Sequence, residues 1–283
     1  MAGYSQHQRR TVMKLRRYFL SFFCFIFCLT HSGSSQVLKP GVGPKLSFNG
    51  KHLAFESNKG DSILFYKGYT VVFSYRYNLP LYTFHVLTTE QLIADSIRVP
   101  VKRSNSFYPT FLPVGTLSAT NIDYSKSGYD RGHMVPAGDF VWDKELKDET
   151  FFYTNINPQI PNLNRGIWAH LENRIRNKVL QLVQEAVVVT GVVFNPDCQE
   201  RIGPNGLCVP VAFFKIVFFE KRNEMFAFLF DNTIDYYQGD LSDFQVTVDF
   251  LELITGEDFF DLLDDEREAL IESKLIFFND GHF

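Results

Sequence analysis

One stretch of the chain, Tyr129 to Glu172, constrains the fold more than any other. The run Asp130 to His133 is predicted to end a strand, because Gly132 lets the backbone turn and lets the imidazole project into a cleft. Apolar residues from about Leu163 to Gln184 recur every three or four positions, which predicts the main helix. A strand that ends in a histidine, followed by a long amphipathic helix, is therefore expected at the centre of the fold.

The same stretch carries the side chains of a hydrolytic site. His133 is a titratable base, Arg131 is a cation suited to phosphate, and Asn and Glu side chains offer oxygen ligands to a hard cation. No cysteine and no histidine pair at metal spacing occurs there, which disfavours zinc. The residue types therefore indicate phosphate chemistry supported by an oxygen-bound divalent ion.

Two blocks carry a family resemblance. The first is Asp-Arg-Gly-His followed by Met-Val-Pro-Ala-Gly-Asp-Phe, and the second joins Asn155-x-x-Pro158-Gln159 to Leu163-Asn164-x-Gly166-x-Trp168-x-x-Leu171-Glu172. In order and spacing they resemble the DNA/RNA non-specific endonucleases, the ββα-metal group that includes Serratia-type nuclease and endonuclease G. The resemblance implies an α+β fold with a central antiparallel β-sheet flanked by helices and a ββα-metal motif at the active site.

The resemblance also implies roles for five residues. His133 is expected to act as general base, and Arg131 to neutralise charge that develops on the phosphate. Asn164 is expected to ligate one Mg²⁺ through its amide oxygen, with Mn²⁺ as an alternative ion. On a regular helix, Glu172 lies about 12 Å further along the axis, so it is expected to hold a metal-bound water or a partner arginine. Asn155 is expected to position the phosphate or a metal-bound water.

A second active-site arginine is expected before the motif. Arg103 precedes Arg131 by 28 residues, a separation similar to that in the family, while Lys102 and Arg98 remain alternatives. Asp130 is expected to be structural and to pair with a neighbouring donor rather than with the metal.

The implied activity is hydrolysis of phosphodiester bonds in both DNA and RNA, leaving 5′-phosphate ends. Two other readings stay open at this point. The chain can be a nuclease fold without catalysis that binds polyanions or a protein, or a phosphodiesterase for small nucleotides. A homodimer is also left open.

The first 35 residues are interpreted as a secretory signal peptide. Arg9, Arg10, Lys14, Arg16 and Arg17 precede an apolar segment from Tyr18 to Leu29, and small residues follow up to Ser35. Residues 36–283 are then expected to form a single secreted or periplasmic nuclease domain without stable membrane association. An uncleaved anchor is the alternative, although twelve apolar residues are short for a span of about twenty.

Cysteine usage agrees with export. Removal of the predicted signal leaves only Cys198 and Cys208, which flank a Pro/Gly-rich loop. In an exported chain this pattern favours one disulfide over two free thiols or half of a metal site.

The formal charge is unevenly distributed along the chain. The whole sequence carries −4, but residues 231–283 hold fifteen Asp/Glu against two Lys/Arg. Residues 36–230, which contain the motifs, carry +4. The motif-bearing part is therefore compatible with a polyanionic substrate.

Elsewhere, β-branched and aromatic runs predict strands, and the acidic end of the chain is predicted to be helical. The predicted strands are 63–66, 69–77, 81–87, 151–155, 186–194, 211–220, 225–231 and, as strand or strand-to-helix, 245–253; the predicted last helix is 257–274.

Overall fold

The fold is described from a computed structural model. It defines residues 45–48, 51–54, 61–97, 106–112, 118–233 and 239–278. The predicted signal segment 1–35 and the predicted active-site Arg103 lie outside these residues. No helix in the described ranges combines the length and apolarity needed to cross a membrane.

The described part of the chain contains both strands and α-helices. The strands are β1 (Lys45–Phe48), β2 (Lys51–Ala54), β3 (Asp61–Phe65), β4 (Tyr69–Ser74), β5 (Leu79–Leu87), β6 (Asp130–His133), β7 (Ile156–Gln159), β8 (Ala186–Val193), β9 (Arg201–Ile202), β10 (Leu207–Cys208), β11 (Ala212–Phe219), β12 (Glu224–Asp231) and β13 (Gln245–Val246). The α-helices are α1 (Thr89–Ile97), α2 (Asn121–Tyr124), α3 (Lys144–Glu149), α4 (Ala169–Leu182), α5 (Val248–Thr255) and α6 (Asp265–Glu272).

The predicted α+β class with a central antiparallel sheet is confirmed. Seven strands form one sheet in the order β13-β12-β11-β8-β5-β4-β3, and every neighbouring pair is antiparallel. The predicted strands at 63–66, 69–77, 81–87, 186–194, 211–220 and 225–231 all belong to this sheet. Their β-branched and aromatic residues suit a pleated surface that is covered on both sides.

Both faces of the sheet are buried. Along β11, Phe213 and Val217 pack beneath α4, whereas Phe214 and Ile216 pack beneath α5 and α6. A strand covered on both sides needs no polar alternation, which explains its almost continuous apolar sequence. We call the side under α4 the motif face and the side under α5 and α6 the C-terminal face.

The ββα motif lies on the motif face. Strand β6 pairs antiparallel with β7, placing Gly132 opposite Asn157 and His133 opposite Ile156. The second strand is not the predicted segment Phe151–Asn155: the chain forms a 3₁₀ turn at Tyr153–Asn155 and enters the strand only at Ile156. Pro158 is tolerated there because a two-stranded ribbon leaves edges on which a missing N–H costs little.

The acidic end of the chain is less helical than predicted. Helix α5 ends at Gly256, whose φ of 75° is left-handed, and the next helix begins only at Asp265. Between them Phe260 also has a left-handed φ of 76°. A bulky residue in that conformation interrupts a helix, so the predicted helix 257–274 contracts to α6.

The predicted disulfide between Cys198 and Cys208 is present, with the two Cα atoms 5.7 Å apart. It closes the small β9–β10 hairpin. From the turn of this hairpin, the backbone N–H and side-chain amide of Asn205 donate to the two carboxylate oxygens of Asp123, at 2.9 and 2.8 Å. Because Asp123 belongs to α2, the hairpin supports the helix that also begins with Asn121.

Candidate active site

His133 sits at the end of β6 against an aromatic wall. A Cβ atom on the preceding Gly132 would lie 2.5 Å from Oε1 of Gln159, so only glycine allows the two strands to approach this closely. The imidazole of His133 packs edge-on to Phe151, with ring centroids 4.9 Å apart, and lies 5.5 Å from Phe107. The half-buried ring is therefore held in one orientation at the strand end.

Arg131 shares the side of β6 on which His133 lies, because alternate strand residues face the same way. Its Nε donates to the hydroxyl of Tyr153 at 3.2 Å, and its Nη2 donates to the carbonyl of Asn121 at 3.4 Å. The guanidinium carbon also lies 5.3 Å from the centre of the Phe107 ring. Since a guanidinium has five N–H groups, this clamp leaves donors for a phosphate oxygen.

Asp130 orients Asn164. One carboxylate oxygen of Asp130 accepts from the amide nitrogen of Asn164 at 2.8 Å and from Nε of Arg165 at 2.7 Å; the other accepts from Nη2 of Arg165 at 2.6 Å. Burial would raise the pKa of Asp130, but the hydrogen bonds from Arg165 and Asn164 outweigh it and hold this pKa below its usual value. An ionised carboxylate only accepts, so the Asn164 amide must present its NH₂ to Asp130 and its carbonyl oxygen away from it.

The predicted main helix is broken near its start. Residues Leu163–Trp168 form a wide π-type turn in which Gly166 has non-helical angles, φ −106° and ψ −112°, and regular helix begins at Ala169. The separation expected on a regular helix therefore does not apply to Asn164 and Glu172. Asn164 lies before the break, and Glu172 lies in the first turn of α4.

Beneath Glu172 a lysine is buried in the sheet. Lys215 is 1% exposed, and its Nζ donates to the hydroxyl of Thr190 at 2.6 Å and lies 4.7 Å from the centre of the Trp168 ring. Burial raises the pKa of Glu172 and lowers the pKa of Lys215, and the charge of each opposes the shift of the other. The buried positive charge of Lys215 therefore favours the ionised form of Glu172.

A buried ion pair adjoins Glu172 and Lys215. Asp139 is 4% exposed; it contacts Nε2 of His85 at 2.9 Å and accepts from Nη1 of Arg176 at 2.6 Å. Arg176 follows Glu172 by one turn of α4, so both face the sheet together. His85 is fully buried in β5. A polar layer thus crosses the otherwise apolar motif face.

Asp139→Asn is expected to destabilise the protein at neutral pH. Burial alone would raise the pKa of Asp139, but the hydrogen bond from His85 and the charge of Arg176 hold it below its usual value. A lowered acid pKa contributes stability above the unfolded-state pKa, and this contribution is lost as pH falls through the folded-state value. Urea unfolding should therefore show a loss of roughly 3 kcal/mol at pH 7 and a smaller dependence on pH below 4. The exposed Asp197→Asn serves as control and should change neither.

The structure does not favour direct contact of Asn155 with phosphate or a metal-bound water, and its predicted role stays a prediction. It is fully buried. Its amide oxygen accepts from the backbone N–H of Val135 at 2.9 Å, and its amide nitrogen donates to the carbonyls of Val135 at 3.0 Å and Thr150 at 2.9 Å. The side chain ties the segment after His133 to the segment before β7. It therefore fixes the backbone next to His133.

Several residues of the site were missed by sequence reasoning: His85 as a partner, Asp139, Arg176, Lys215, Thr190 and Tyr153. One of them carried a signal. Lys215 is a single charge inside the apolar run Ala212–Phe219, and a charge in a buried strand needs a partner. The others lie far apart in sequence, and only the topology of the sheet brings them together.

Comparison with known proteins is consistent with this geometry. The chain is 32% identical over 210 residues to Nuclease 1, mitochondrial, of Schizosaccharomyces pombe, covering 67% of this chain and 63% of the relative. It is 32% identical over 180 residues to Endonuclease G, mitochondrial, of Bos taurus, covering 59% and 60%. The chain thus spans less than two thirds of these relatives' lengths.

The predicted secreted or periplasmic location is wrong in the light of these relatives, which are mitochondrial nucleases. The physical reason for the error lies in the N-terminal composition. A positively charged segment without acids is typical of secretory signals, but Arg-rich, acid-poor segments are typical of mitochondrial transit peptides as well.

The fold and the sequence point to one family. A crystal structure of the EndoG/EndoGI complex contains a chain that matches with a TM-score of 0.64 and 28% identity, covering 73% of this chain and 89% of that one. The model of the DNA/RNA non-specific endonuclease family matches residues 49–266, a range that includes the ββα motif and the whole seven-stranded sheet. The chain belongs to the DNA/RNA non-specific endonuclease family.

Proposed function

We propose that this chain is a metal-dependent endonuclease that hydrolyses phosphodiester bonds of DNA and RNA and leaves 5′-phosphate ends. The observation that carries the proposal is the orientation of Asn164 by Asp130. The ionised carboxylate takes the NH₂ group of the amide, so the carbonyl oxygen is directed away as a ligand. This arrangement lies beside the strand that carries Arg131 and His133.

The donor set fits a hard divalent cation. Asn164 would hold it through its amide oxygen, and Glu172 would act through a water molecule; Mg²⁺ suits such oxygen ligands because it keeps several waters, and Mn²⁺ is the alternative. When bound, such an ion supplies positive charge to the scissile phosphate and to the leaving oxygen.

His133 is the proposed general base. Its Nε2 atom is buried, so we assign the proton transfer to Nδ1, the other ring nitrogen. The aromatic contacts with Phe151 and Phe107 restrict the ring so that Nδ1 keeps its direction. A water molecule that loses its proton to Nδ1 can then attack the phosphorus in line with the leaving oxygen.

The proposed role of Arg131 is to bind the phosphate with the N–H groups that Tyr153 and Asn121 do not use. Arg103 is proposed as a second phosphate ligand from the family resemblance. Glu172, whose ionised form is favoured by Lys215, is proposed to accept hydrogen bonds from water at the site.

Charge and the names of the relatives support two further parts of the proposal. Residues 36–230 carry +4, and most of the acidic surplus belongs to residues 231–283, which include the helices α5 and α6 on the opposite side of the sheet. A polyanionic substrate is therefore not repelled from the motif face by the acids of these helices. From the mitochondrial relatives we also infer a mitochondrial location, with the basic N-terminus as the targeting segment.

Asn164→Ala is expected to abolish metal-dependent cleavage, and Asn164→Asp is expected to fail as well. Aspartate keeps an oxygen ligand but loses the NH₂ group that Asp130 binds, and it places two carboxylates side by side. Supercoiled plasmid is incubated with the purified chain in Mg²⁺ and in EDTA. Wild type should nick the plasmid only in Mg²⁺, and both variants should lose at least about a hundredfold in rate.

The exposed Asn177→Ala on α4 is the matched control and should cleave like wild type. Full activity of Asn164→Ala would refute the assigned ligand. Cleavage of bis-p-nitrophenyl phosphate in preference to plasmid would support a phosphodiesterase for small substrates instead of a nuclease. If folded wild type bound DNA without cutting it, the result would support a binding module without catalytic activity.

A further inference from the structure

A second group of oxygen ligands lies on the C-terminal face, on the opposite side of the sheet from the ββα motif. Asp249 and Glu252 are three residues apart on α5 and therefore neighbours on its surface, and Glu272 is the last residue of α6. One carboxylate oxygen from each of the three lies within 4.8 Å of the other two. Two helices that are separate in sequence thus direct their acids to one point.

The burial of Glu272 distinguishes this group from an ordinary acidic surface. Glu272 is only 3% exposed, and its Oε1 has no hydrogen-bond partner among the described residues. Oε1 of Glu268, one turn earlier on α6, is likewise buried without a partner in the described part of the chain. A buried carboxylate oxygen without a hydrogen-bond donor costs free energy. A positively charged partner bound at this point would remove that cost.

The acids around Glu272 make its ionised form still less favourable. Burial, followed by the charges of four nearby acids, raises the pKa of Glu272 to about 9; the acids are Glu252, Glu268, Asp249 and Asp258. Either protons or a bound cation must offset this concentration of negative charge. A cation can satisfy several carboxylates at once, whereas a proton satisfies one pair.

We propose that Asp249, Glu252 and Glu272 bind one Ca²⁺ ion that links α5 to α6. All three ligands are oxygens, as Ca²⁺ requires, and because they lie within 4.8 Å of one another they can share one ion at about 2.4 Å. Ca²⁺ accepts six to eight oxygens in flexible geometry, whereas Mg²⁺ demands a near-ideal octahedron, so three acids from two helices suit Ca²⁺ better. Asp249 is exposed, Glu252 is half-buried and Glu272 is buried, so an ion can enter from solvent and keep several waters.

The ion would stabilise the packing of α5 and α6 against the sheet. Leu251 and Ile254 of α5 and Ile271 of α6 belong to the core of the C-terminal face. One oxygen of Glu252 is already held by the backbone N–H of Phe259 at 2.8 Å, which fixes the carboxylate. A link between the two helices would hold these apolar residues on the strands. This site is independent of the proposed nuclease function.

The test is thermal unfolding of the full chain after removal of metal by chelator and dialysis. Addition of CaCl₂ to about a hundred times the dissociation constant is expected to raise the Tm of wild type by about 5 °C or more. NaCl at matched ionic strength should not reproduce the rise. Glu272→Gln keeps the shape of the side chain and removes its charge, so it should lose most of the rise while its Tm without calcium stays equal or increases.

The exposed Glu266→Gln, on the same helix but outside the group, is the matched control and should keep the full rise. Asp249→Asn is a second variant at an exposed position, where misfolding is not expected, and it should weaken calcium binding in calorimetry. The proposal fails if wild type does not respond to calcium, if NaCl gives the same rise, or if Glu272→Gln responds like wild type. A calcium ion bound only at the ββα motif would show that last pattern.

Discussion

His133→Ala is expected to lower the rate of plasmid cleavage by about a hundred- to ten-thousandfold without unfolding the protein. The imidazole is the proposed proton acceptor at the end of β6, and alanine cannot replace it. The side chain is half-buried at a strand end, so its loss removes aromatic contacts with Phe151 and Phe107 but opens little of the core. Initial rates with Mg²⁺, together with Tm, measure the two effects separately.

The matched control for this variant is His170→Ala, because His170 is exposed on α4 and faces solvent. Its cleavage rate should equal that of wild type. If His133→Ala retained full activity while Asn164→Ala lost it, the metal site would be correct and another group would be the base. If both variants retained it, the measured activity would belong to a contaminating nuclease.

Lys215→Met is expected to lower the free energy of unfolding by about 3 kcal/mol at pH 8 and to lower nuclease activity at least about tenfold. Methionine matches the length of lysine, so the core remains filled. What is lost is the charge that opposes the pKa shift of Glu172, together with the hydrogen bond to Thr190 and the contact with Trp168. Urea unfolding and plasmid cleavage measure the two losses.

A double variant separates the charge effect from packing. Lys215→Met combined with Glu172→Gln removes both charges, so it should recover most of the stability but none of the activity. The exposed Lys221→Met, in the turn after the same strand, is the control and should be close to wild type in both measurements. A double variant no more stable than Lys215→Met alone would show that Lys215 and Glu172 do not interact.

The strands of the sheet were predictable because their residues are apolar, β-branched and aromatic over lengths suited to strands. Sequence spacing also predicted a strand and a following helix that carry the candidate site residues. These residues are Asp130, His133, Asn164 and Glu172. Local sequence patterns were sufficient to place a residue wherever its position depended on a single strand or helix.

Prediction failed where the backbone leaves its regular geometry. The π-type turn at Leu163–Trp168 depends on Gly166, whose conformation no periodicity reveals. Asn155 resembles a site residue in sequence, but its amide serves the backbone of Val135 and Thr150. The contact of Asp139 with His85 and Arg176 joins three elements, so it depends on tertiary structure alone.

The two sides of the seven-stranded sheet differ in the charged residues that cover them. The acids of α5 and α6 cover one side, and the ββα motif with its arginines covers the other. For the proposed nucleic-acid substrate, we expect this charge distribution to disfavour encounters with the acidic side and to favour encounters with the motif face. We therefore expect the acids of α5 and α6 to increase the rate of substrate capture, most strongly at low ionic strength.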